Sequence, residues 1–499
     1  YYYIESERMI ITMNKTRTRF APSPTGYMHI GNLRTALFEF LIAKHEGGDF
    51  LLRIEDTDQE RKVEGAVDVI YKTLKECGLN WDEGPDIGGD FGPYVQSERL
   101  PMYKGYAEDL IKLGGAHYCF CSEEEIEAQR KEAESLGISF KFNDPCKHLS
   151  AEEVQAKLDA GEPYVIRQTI KDVGETYFDD EVYGRIEVDG DVLDEQILIK
   201  SDGYPTYNFA NIIDDHQMQI SHVVRGNEYL SSTPKYNLIY DAYGWQRPTY
   251  VHVPPVMKDE HHKLSKRNGD ASFQDLVAKG YLPDAIMNYI ALLGWAPETE
   301  QEIYTLDELI KVFNIHRISK SPAIFDIDKL TWMNGVYLRN MDEETYYETV
   351  RPYLEKAVHG PYNLKEIAKI IQPRIDILNQ IEESVDFFDT LVDYDLEMYR
   401  HKKMKTTPEV ALKALKASKQ TLEAFDQWDS MDALHECLLA LPKKLEMKNG
   451  QVLWPIRTAV SGKQFTPGGA IEIAFILGKD ETLRRIQVGI DRLSEIVEE

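Results

Sequence analysis

The chain opens with a strand pattern that passes through a turn directly into a helix pattern. Residues 16–21 alternate and are rich in β-forming side chains, which predicts a short strand. Two prolines and a glycine between residues 22 and 26 interrupt regular structure. Apolar residues then recur at helical spacing through 33–41, with Asn32 as the predicted N-cap. Strand and helix patterns alternate to about residue 108, which indicates the first half of a doubly wound parallel sheet.

The turn before this helix carries side chains that suit a phosphate group. His29, Gly31 and Asn32 stand where free N–H groups and the helix dipole favour an anion. Gly31 lets a nucleotide approach the backbone, and the two polar side chains can stabilise charge that develops on a phosphate. The alternative is a capped helix that merely follows a proline-rich turn.

A second segment, residues 258–267, concentrates positive charge. Its basic residues are Lys258, His261, His262, Lys263, Lys266 and Arg267. Lysines on a loop can close on pyrophosphate as charge builds during displacement. Taken alone, the segment fits a solvated surface loop better. Because it follows the first motif in the order that adenylating enzymes use, the pair favours ATP-dependent adenylation.

Composition limits the class of protein. The net charge of −28 argues against indiscriminate nucleic-acid binding, and 42% hydrophobic residues are enough for buried cores. No apolar run approaches ~18 residues, so no membrane span is predicted. Residues 1–13 lack the pattern of a signal peptide, and Met9 and Met13 are alternative starts.

The five cysteines are few for the length, which favours a reducing cytoplasm without structural disulfides. Three of them cluster with a histidine, as Cys119, Cys121, Cys146 and His148. Three thiolates and one imidazole suit a closed tetrahedral site for structural Zn²⁺. The alternative is three ordinary thiols beside a surface histidine.

The two nucleotide motifs resemble the HIGH and KMSKS motifs of class I aminoacyl-tRNA synthetases. Along nearly its full length the chain resembles the bacterial glutamyl-tRNA synthetases. The matching stretches include Arg19–Gly26, Arg53–Asp58, Tyr94–Arg99, Ser201–Tyr207, Asp214–His216, Val223–Gly226 and Trp332–Gly335. The resemblance implies a ligase that joins L-glutamate to the 3′ end of tRNA-Glu in two steps, through glutamyl-adenylate.

The resemblance also implies roles for the motif residues. The catalytic set would be His29, Asn32, Lys263 and Lys266, and the ATP contacts His29, Gly31, Ser265 and Lys266. Two departures from the family pattern stand out. Asn32 replaces the second histidine of the first motif, and the second motif ends in arginine at position 267.

Glutamate brings two carboxylates and one ammonium, so its site needs two cations and one anion. The resemblance assigns the side-chain carboxylate to Arg19 with Tyr207, the α-carboxylate to Arg225 with Asn211, and the ammonium to Glu55. Ala21 and Ser23 would line the same pocket. The alternative for each of these residues is a structural salt bridge or cap. Tyr229 stands where some relatives carry tryptophan.

We expect five parts along the chain. They are a Rossmann-like (HUP-type) catalytic half at 14–108, an inserted α+β acceptor-binding domain with the zinc cluster at 109–199, the second catalytic half at 200–257, a stem-contact domain at 258–340, and a helical anticodon-binding region at 341–499 that divides near residue 400. The helical C-terminus differs from the β-barrels of glutaminyl enzymes. By resemblance, Arg374 faces the third anticodon base in members that reject tRNA-Gln, and the alternative is an ordinary arginine on the surface of a helix.

The implied cofactors are ATP, Mg²⁺ and a structural Zn²⁺. The implied partners are tRNA-Glu and L-glutamate, with tRNA-Gln left open as a second substrate. A cytoplasmic monomer without membrane contact is expected. Two alternatives remain at this level. One is a small-molecule nucleotidyltransferase, which would need no helical C-terminal third, and the other is a catalytically silent RNA-binding scaffold.

Overall fold

A computed structural model describes residues 15–58, 63–171, 174–264 and 272–497. These residues form two compact units. The first unit contains the chain up to Val277 together with Pro283–Asp326, and the second contains Ala278–Leu282 and the chain from Ile327 onward. The chain thus enters the second unit briefly before it completes the first.

The first unit is built around parallel strands. Its strands are β1 (Arg17–Phe20), β2 (Asp49–Leu52), β3 (Ala116–Cys119), β4 (Val165–Gln168), β5 (Glu175–Asp180), β6 (Gly184–Asp189), β7 (Ile197–Ile199), β8 (His222–Gly226), β9 (Thr249–Val253), β10 (Val256–Met257) and β11 (Ala323–Ile324). Strands β1 and β2 pair in parallel, as do β8 and β9. The Ser221 N–H donates to the Arg17 carbonyl over 3.0 Å and links the two pairs. This arrangement confirms the predicted parallel α/β fold.

Helices connect and cover these strands. They are α1 (Ile30–His45), α2 (Ala66–Glu76), α3 (Leu100–Lys112), α4 (Glu123–Leu136), α5 (Ala151–Asp159), α6 (Tyr207–Gln217), α7 (Thr233–Tyr243), α8 (Phe273–Ala278), α9 (Pro283–Ala291) and α10 (Leu306–Val312). Helix α1 is buried on several sides, because its apolar residues from Leu33 to Ala43 pack in the core next to β1 and β2. A helix enclosed in this way fixes the position of the turn that precedes it.

The N-terminus of α1 differs from the sequence prediction. The N-cap is His29 and not Asn32, because the extended backbone of His29 (φ −67°, ψ 142°) lets its Nδ1 accept the Gly31 N–H. Histidine is not a common capping residue, and the usual preference for asparagine therefore indicated a start three residues too late. Asn32 lies exposed in the first turn of the helix.

The predicted inserted region contains an antiparallel sheet in the order β3-β4-β7. The β5-β6 hairpin lies between β4 and β7 in the chain. Strand β5 reaches the parallel sheet, because Asp180 pairs in parallel with Tyr250 of β9. The last residue of this hairpin strand is therefore placed beside β9, which matters for the site described below.

The second unit is helical. Its helices are α11 (Ile327–Asn340), α12 (Glu343–Ala357), α13 (Leu364–Ile371), α14 (Ile381–Val385), α15 (Pro408–Glu423), α16 (Met431–Lys444), α17 (Asn449–Ser461) and α18 (Ala470–Val497), the last of which is interrupted at Gly478. The early segment Ala278–Leu282 belongs here, since the Leu378 N–H donates to the Gly280 carbonyl and the Leu282 N–H to Asn334 Oδ1.

A buried arginine ties the helices of the second unit together. Arg485 of α18 is fully buried. Its guanidinium donates to the carbonyls of Phe387, Phe388 and Val460 over 2.6 to 2.8 Å, and its Nε donates to Glu481 over 2.6 Å. The three carbonyls come from segments that precede α18 in the chain, so one side chain satisfies polar groups that would otherwise lie buried without a donor.

Within the described ranges, no helix combines the length and the apolar character needed to cross a lipid bilayer.

Candidate active site

The first motif presents a histidine whose proton position is fixed by the backbone. Because His29 Nδ1 accepts the Gly31 N–H at 3.0 Å, the ring proton of the neutral imidazole lies on Nε2. That nitrogen lies 3.1 Å from the Leu264 carbonyl and donates to it. The turn therefore holds this N–H, bonded to Leu264, beside the N-terminus of α1, where N–H groups and the helix dipole favour an anion.

The segment that carries the second motif contacts His29 of the first motif at two residues. Leu264 accepts the His29 proton, and Ser272 forms a backbone bridge with His29. Lys263 is exposed at the start of this segment. Ser265 and Lys266, which the sequence assigns to ATP, lie outside the described residues. Leu264 and Ser272, the described residues on either side of 265–271, thus both contact His29, and Leu264 is 235 residues from it in sequence.

Arg19 is buried at the end of β1 in a network of charges. Its Nε and one terminal nitrogen donate to both oxygens of Asp215 over 2.7 and 3.1 Å, and its other terminal nitrogen donates to Glu39 over 3.2 Å. Arg53 donates to Asp215 and to Glu55. Burial raises the pKa of Glu39 well above its usual range, although the Arg19 charge opposes that shift. Arg19 is therefore oriented by carboxylates rather than left without an anion.

Glu55 lies immediately after the β2 region and is 5% exposed. Burial raises its pKa to about 7, while the neighbouring Arg53 and Arg19 charges act in the opposite direction. Its backbone N–H donates to the Pro22 carbonyl over 3.1 Å, which holds it against the turn that contains Ala21 and Ser23. A carboxylate with a pKa near neutrality can bind an ammonium group but loses that capacity in mild acid.

Tyr207 and Asn211 lie one turn apart on α6. The Asn211 amide donates to the Tyr207 carbonyl over 2.8 Å and is 2% exposed. The Tyr207 ring lies 5.6 Å from that of Tyr229, centroid to centroid. Burial and then the negative charge of Glu55 raise the pKa of Tyr207 well above its usual value, so its hydroxyl remains a proton donor.

Arg225 of β8 differs from the other buried arginines of the site. It is 6% exposed, yet within the described parts of the chain it forms no ion pair with a carboxylate. Its Nε donates to His252 Nε2 over 3.1 Å and one terminal nitrogen donates to Thr233 Oγ1 over 2.8 Å. The rings of Tyr229, Tyr236 and Tyr250 surround its guanidinium carbon at 4.8 to 5.3 Å. A buried cation held only by neutral groups is suited to an anionic ligand.

The cysteine cluster forms a compact donor group. Sulfur atoms of Cys119, Cys121 and Cys146 and a carboxylate oxygen of Asp144 lie within 4.8 Å of one another. The Cys121 and Cys146 sulfurs are 3.6 Å apart, close to the separation of about 3.8 Å that two thiolates take on a tetrahedral Zn²⁺. His148, the predicted fourth ligand, is exposed and lies outside this group, and Asp144 lies there instead. Both residues belong to the same short segment.

Arg374 lies in a separate groove within the second unit. The groove has a volume of about 530 Å³ and is also lined by Arg457, Lys463 and Phe465. Arg374 is exposed, and Phe465 is 83% exposed. Arg457 donates to the Gln464 carbonyl over 2.8 Å and covers the ring of Trp454. Cations beside an exposed aromatic ring are typical of surfaces that contact unstacked RNA bases.

Sequence reasoning missed several residues of the charge network. Asp214, Asp215 and Arg53 lie in stretches that match the synthetase family, but the sequence analysis assigns none of them a role in the site. Asp214 accepts hydrogen bonds from Arg99, Tyr103 and Gln96. The available signal was the density of charged residues in apolar strand and helix patterns, which indicates buried ion pairs.

The comparisons with known proteins agree with this geometry. Residues 15–332 match the family described as tRNA synthetases class I (E and Q), catalytic domain. Residues 345–490 match a family described as an anticodon binding domain. The chain therefore belongs to the class I tRNA synthetase family.

Within that family its similar relatives are glutamate–tRNA ligases. The chain is 60% identical to the glutamate–tRNA ligase of Clostridium botulinum strain Hall over 97% of this chain and 99% of that protein. It is 58% identical to that of Clostridium tetani over 96% and 98%. A crystal structure of a glutamate tRNA ligase from Elizabethkingia meningosepticum, in complex with its amino acid, matches with a TM-score of 0.88, 34% identity, and coverage of 96% of this chain and 100% of that one. The resemblance predicted from the motifs is confirmed.

Proposed function

We propose that this chain joins L-glutamate to the 3′ end of tRNA-Glu in two steps, with ATP as the energy source and glutamyl-adenylate as the intermediate. The relatives that carry the name glutamate–tRNA ligase align with it over almost its full length. The observation in the structure that carries the proposal is Arg225, a buried guanidinium held by neutral groups and surrounded by aromatic rings.

In this proposal the α-carboxylate of glutamate attacks the α-phosphate of ATP and expels pyrophosphate, and a 3′-terminal hydroxyl of the tRNA then attacks the adenylate carbonyl and expels AMP, so no protein nucleophile is needed. Arg225 and Asn211 bind the α-carboxylate, Glu55 binds the ammonium, and Arg19 and Tyr207 bind the side-chain carboxylate. Ala21 and Ser23 line the pocket. The His29 Nε2–H leaves the Leu264 carbonyl and donates to the phosphates, which Gly31, Asn32, Lys263, Ser265 and Lys266 also contact. Mg²⁺ accompanies ATP and neutralises phosphate charge.

Charging of purified tRNA tests the function. Radiolabelled glutamate is offered with tRNA-Glu or tRNA-Gln, with and without ATP. We expect ATP-dependent labelling of tRNA-Glu. Labelling of tRNA-Gln as well would identify an enzyme that does not discriminate between the two tRNAs. If neither tRNA is labelled, the proposal fails and a small-molecule nucleotidyltransferase becomes the better explanation.

The pH dependence should report the ionisation of Glu55. Because burial raises its pKa to about 7, the carboxylate takes up a proton as the pH falls through 7 and no longer binds the substrate ammonium. We expect kcat/KM for glutamate to fall about tenfold per pH unit below 7 and to level off above it. The measurement is the initial charging rate from pH 6 to 8.5 at limiting glutamate. A Glu55→Gln variant should have a lower rate and lack this inflection. A profile in which wild type and variant share the same inflection would contradict the assignment.

We further propose that Cys119, Cys121 and Cys146 hold a structural Zn²⁺. Three sulfurs that lie within 4.8 Å of one another fit this metal by donor type and spacing. Asp144 is the fourth donor that the geometry supports, whereas His148 rests on the sequence pattern. The Asp144 carboxylate is itself held by His117 at 2.9 Å and by the Cys146 N–H.

Metal analysis tests this site. We expect one zinc per purified chain, and we expect Cys121→Ser to lose most of it and to lower the melting temperature. Cys437→Ser is the matched control, since Cys437 lies in α16, outside the cluster. Comparing Asp144→Asn with His148→Ala identifies the fourth ligand, because the true ligand is the one whose loss reduces zinc content. Wild-type protein that takes up no zinc under reducing conditions would refute the site.

The helical second unit would bind the anticodon arm. Support comes from the match to an anticodon-binding family and from the groove that holds Arg374, Arg457, Lys463 and Phe465. Arg374 would select the third anticodon base and exclude tRNA-Gln.

The five-part division at residues 108, 199, 257 and 340 and the cytoplasmic, monomeric state also remain part of the proposal. The ends of the two family matches, at 332 and 345, support a boundary near 340.

A further inference from the structure

Two buried side chains, Asp180 and His252, orient Arg225, and neither has a role in the reaction proposed above. His252 of β9 is fully buried and is the direct strand partner of Arg225 in the parallel register of β8 and β9. Neighbouring residues in such a register project from the same face of the sheet. The Arg225 Nε donates to His252 Nε2 over 3.1 Å. The imidazole must therefore keep a lone pair on Nε2.

Asp180 determines which ring nitrogen carries the proton. Its Oδ2 lies 2.6 Å from His252 Nδ1, so that nitrogen is the N–H donor. Asp180 is itself fixed by backbone groups. Its Oδ1 accepts the backbone N–H groups of Val182 and Tyr183, and its Oδ2 also accepts the backbone N–H of His252. The side chains of Asp180 and His252 are both fully buried. A rotation of the imidazole would break bonds at both ends of the chain of contacts.

The order of these groups matters for charge. A carboxylate in direct contact with Arg225 would compete with a ligand for its charge, as Asp215 and Glu39 compete for that of Arg19. With a neutral imidazole between Asp180 and Arg225, the guanidinium is held in place and its charge remains available to a ligand. Burial also lowers the pKa of His252, which favours this neutral form.

We propose that Asp180 and His252 are positioning residues for glutamate, which aim the Arg225 guanidinium at the substrate α-carboxylate. The proposal rests on the proposed role of Arg225 in glutamate binding. Asp180 reaches the catalytic sheet from the β5-β6 hairpin, so that hairpin takes part in amino-acid recognition.

Substitution of Asp180 by asparagine tests the proton placement. The amide can donate to His252 Nδ1, which moves the ring proton to Nε2 and sets it against the Arg225 Nε–H. We expect KM for glutamate to rise about ten- to a hundredfold in Asp180→Asn, while KM for ATP changes little. Asp179→Asn is the matched control, because the neighbouring Asp179 is exposed and, among the described residues, forms its ion pair with Arg185. That variant should behave as wild type.

Two further readouts separate positioning from general loosening. Inhibition by glutarate, which has both carboxylates, should weaken in Asp180→Asn, and inhibition by 4-aminobutyrate, which lacks the α-carboxylate, should not. In His252→Gln the amide oxygen can still accept a hydrogen bond from Arg225. The KM for glutamate should therefore be lower in His252→Gln than in His252→Leu. These two variants also serve if Asp180→Asn fails to fold, as judged by circular dichroism.

The outcomes distinguish the two levels of the proposal. If Arg225→Lys raises KM for glutamate and neither Asp180→Asn nor His252→Leu does, the positioning role is wrong and the role of Arg225 stands. If Arg225→Lys leaves KM for glutamate unchanged, both the binding role of Arg225 and the positioning role of Asp180 and His252 are wrong. An equal loss of glutarate and 4-aminobutyrate inhibition would also overturn the positioning role.

Discussion

Replacing Arg225 with methionine is expected to lower kcat/KM for glutamate about a hundred- to a thousandfold, because the buried α-carboxylate of the substrate would lose the cation that binds it. Methionine retains much of the aliphatic volume among Tyr229, Tyr236 and Tyr250, so the pocket should keep its shape. The measurement is the steady-state charging of tRNA-Glu at varied glutamate and saturating ATP. The loss should appear mainly in KM for glutamate.

Arg185→Met provides the matched control for this variant. Arg185 lies on β6 and is exposed, and among the described residues it pairs with Asp179 and lies over the ring of Tyr177. Its removal should leave both KM values as they are in the wild type, since exposed ion pairs contribute little. If Arg225→Met charges tRNA-Glu with the wild-type KM for glutamate, another cation binds the α-carboxylate and the assignment of this residue is wrong.

The second large effect concerns stability. Arg485→Met should destabilise the helical unit by about 3–5 kcal/mol, because three buried carbonyls lose their donor and Glu481 loses its buried partner. Peptides from α17 and α18 should then exchange their amide hydrogens about two to three orders of magnitude faster. Hydrogen exchange followed by mass spectrometry measures this change locally, which suits a chain with two compact units.

Arg484→Met tests whether the carbonyl bonds are the cause. Arg484 pairs with the same Glu481 through two bonds of 2.7 Å, but its side chain is 57% exposed. We expect a change in local free energy below about 1 kcal/mol. Comparable losses in the two variants would mean that the pairing with Glu481, rather than the buried carbonyls, provides the stability.

Local patterns predicted the elements that carry the site. The strand predicted at 16–21 appears as β1 (Arg17–Phe20), and the alternating residues with their β-forming side chains were enough to place it. The helix that follows was also predicted, although its cap was not. A cap depends on the backbone angles of one residue and on whether its side chain can turn back, and residue preferences describe neither.

The partners of the buried charges could not be predicted in the same way. Asp215 and Arg19 are 196 residues apart in sequence, and Asp180 and His252 are 72 apart. Such pairs are created by strand register and by the entry of β5 into the sheet, which depend on the whole fold. The cysteine cluster was predicted because its members are close in sequence, but Asp144 was overlooked since nothing in its spacing distinguishes it from other acidic residues.

The brief passage of the chain through the second unit at Ala278–Leu282 has a consequence for modular evolution. Three covalent crossings join the two units, so no single cut or gene fusion point separates them cleanly. A shortened descendant that ended at Asp326 would retain Gly280 and Leu282 without the Leu378 and Asn334 partners that their backbone groups now contact. Loss of the helical unit in any lineage would therefore require new residues around this short segment, and exchange of that unit between lineages would require the two pieces to be inherited together.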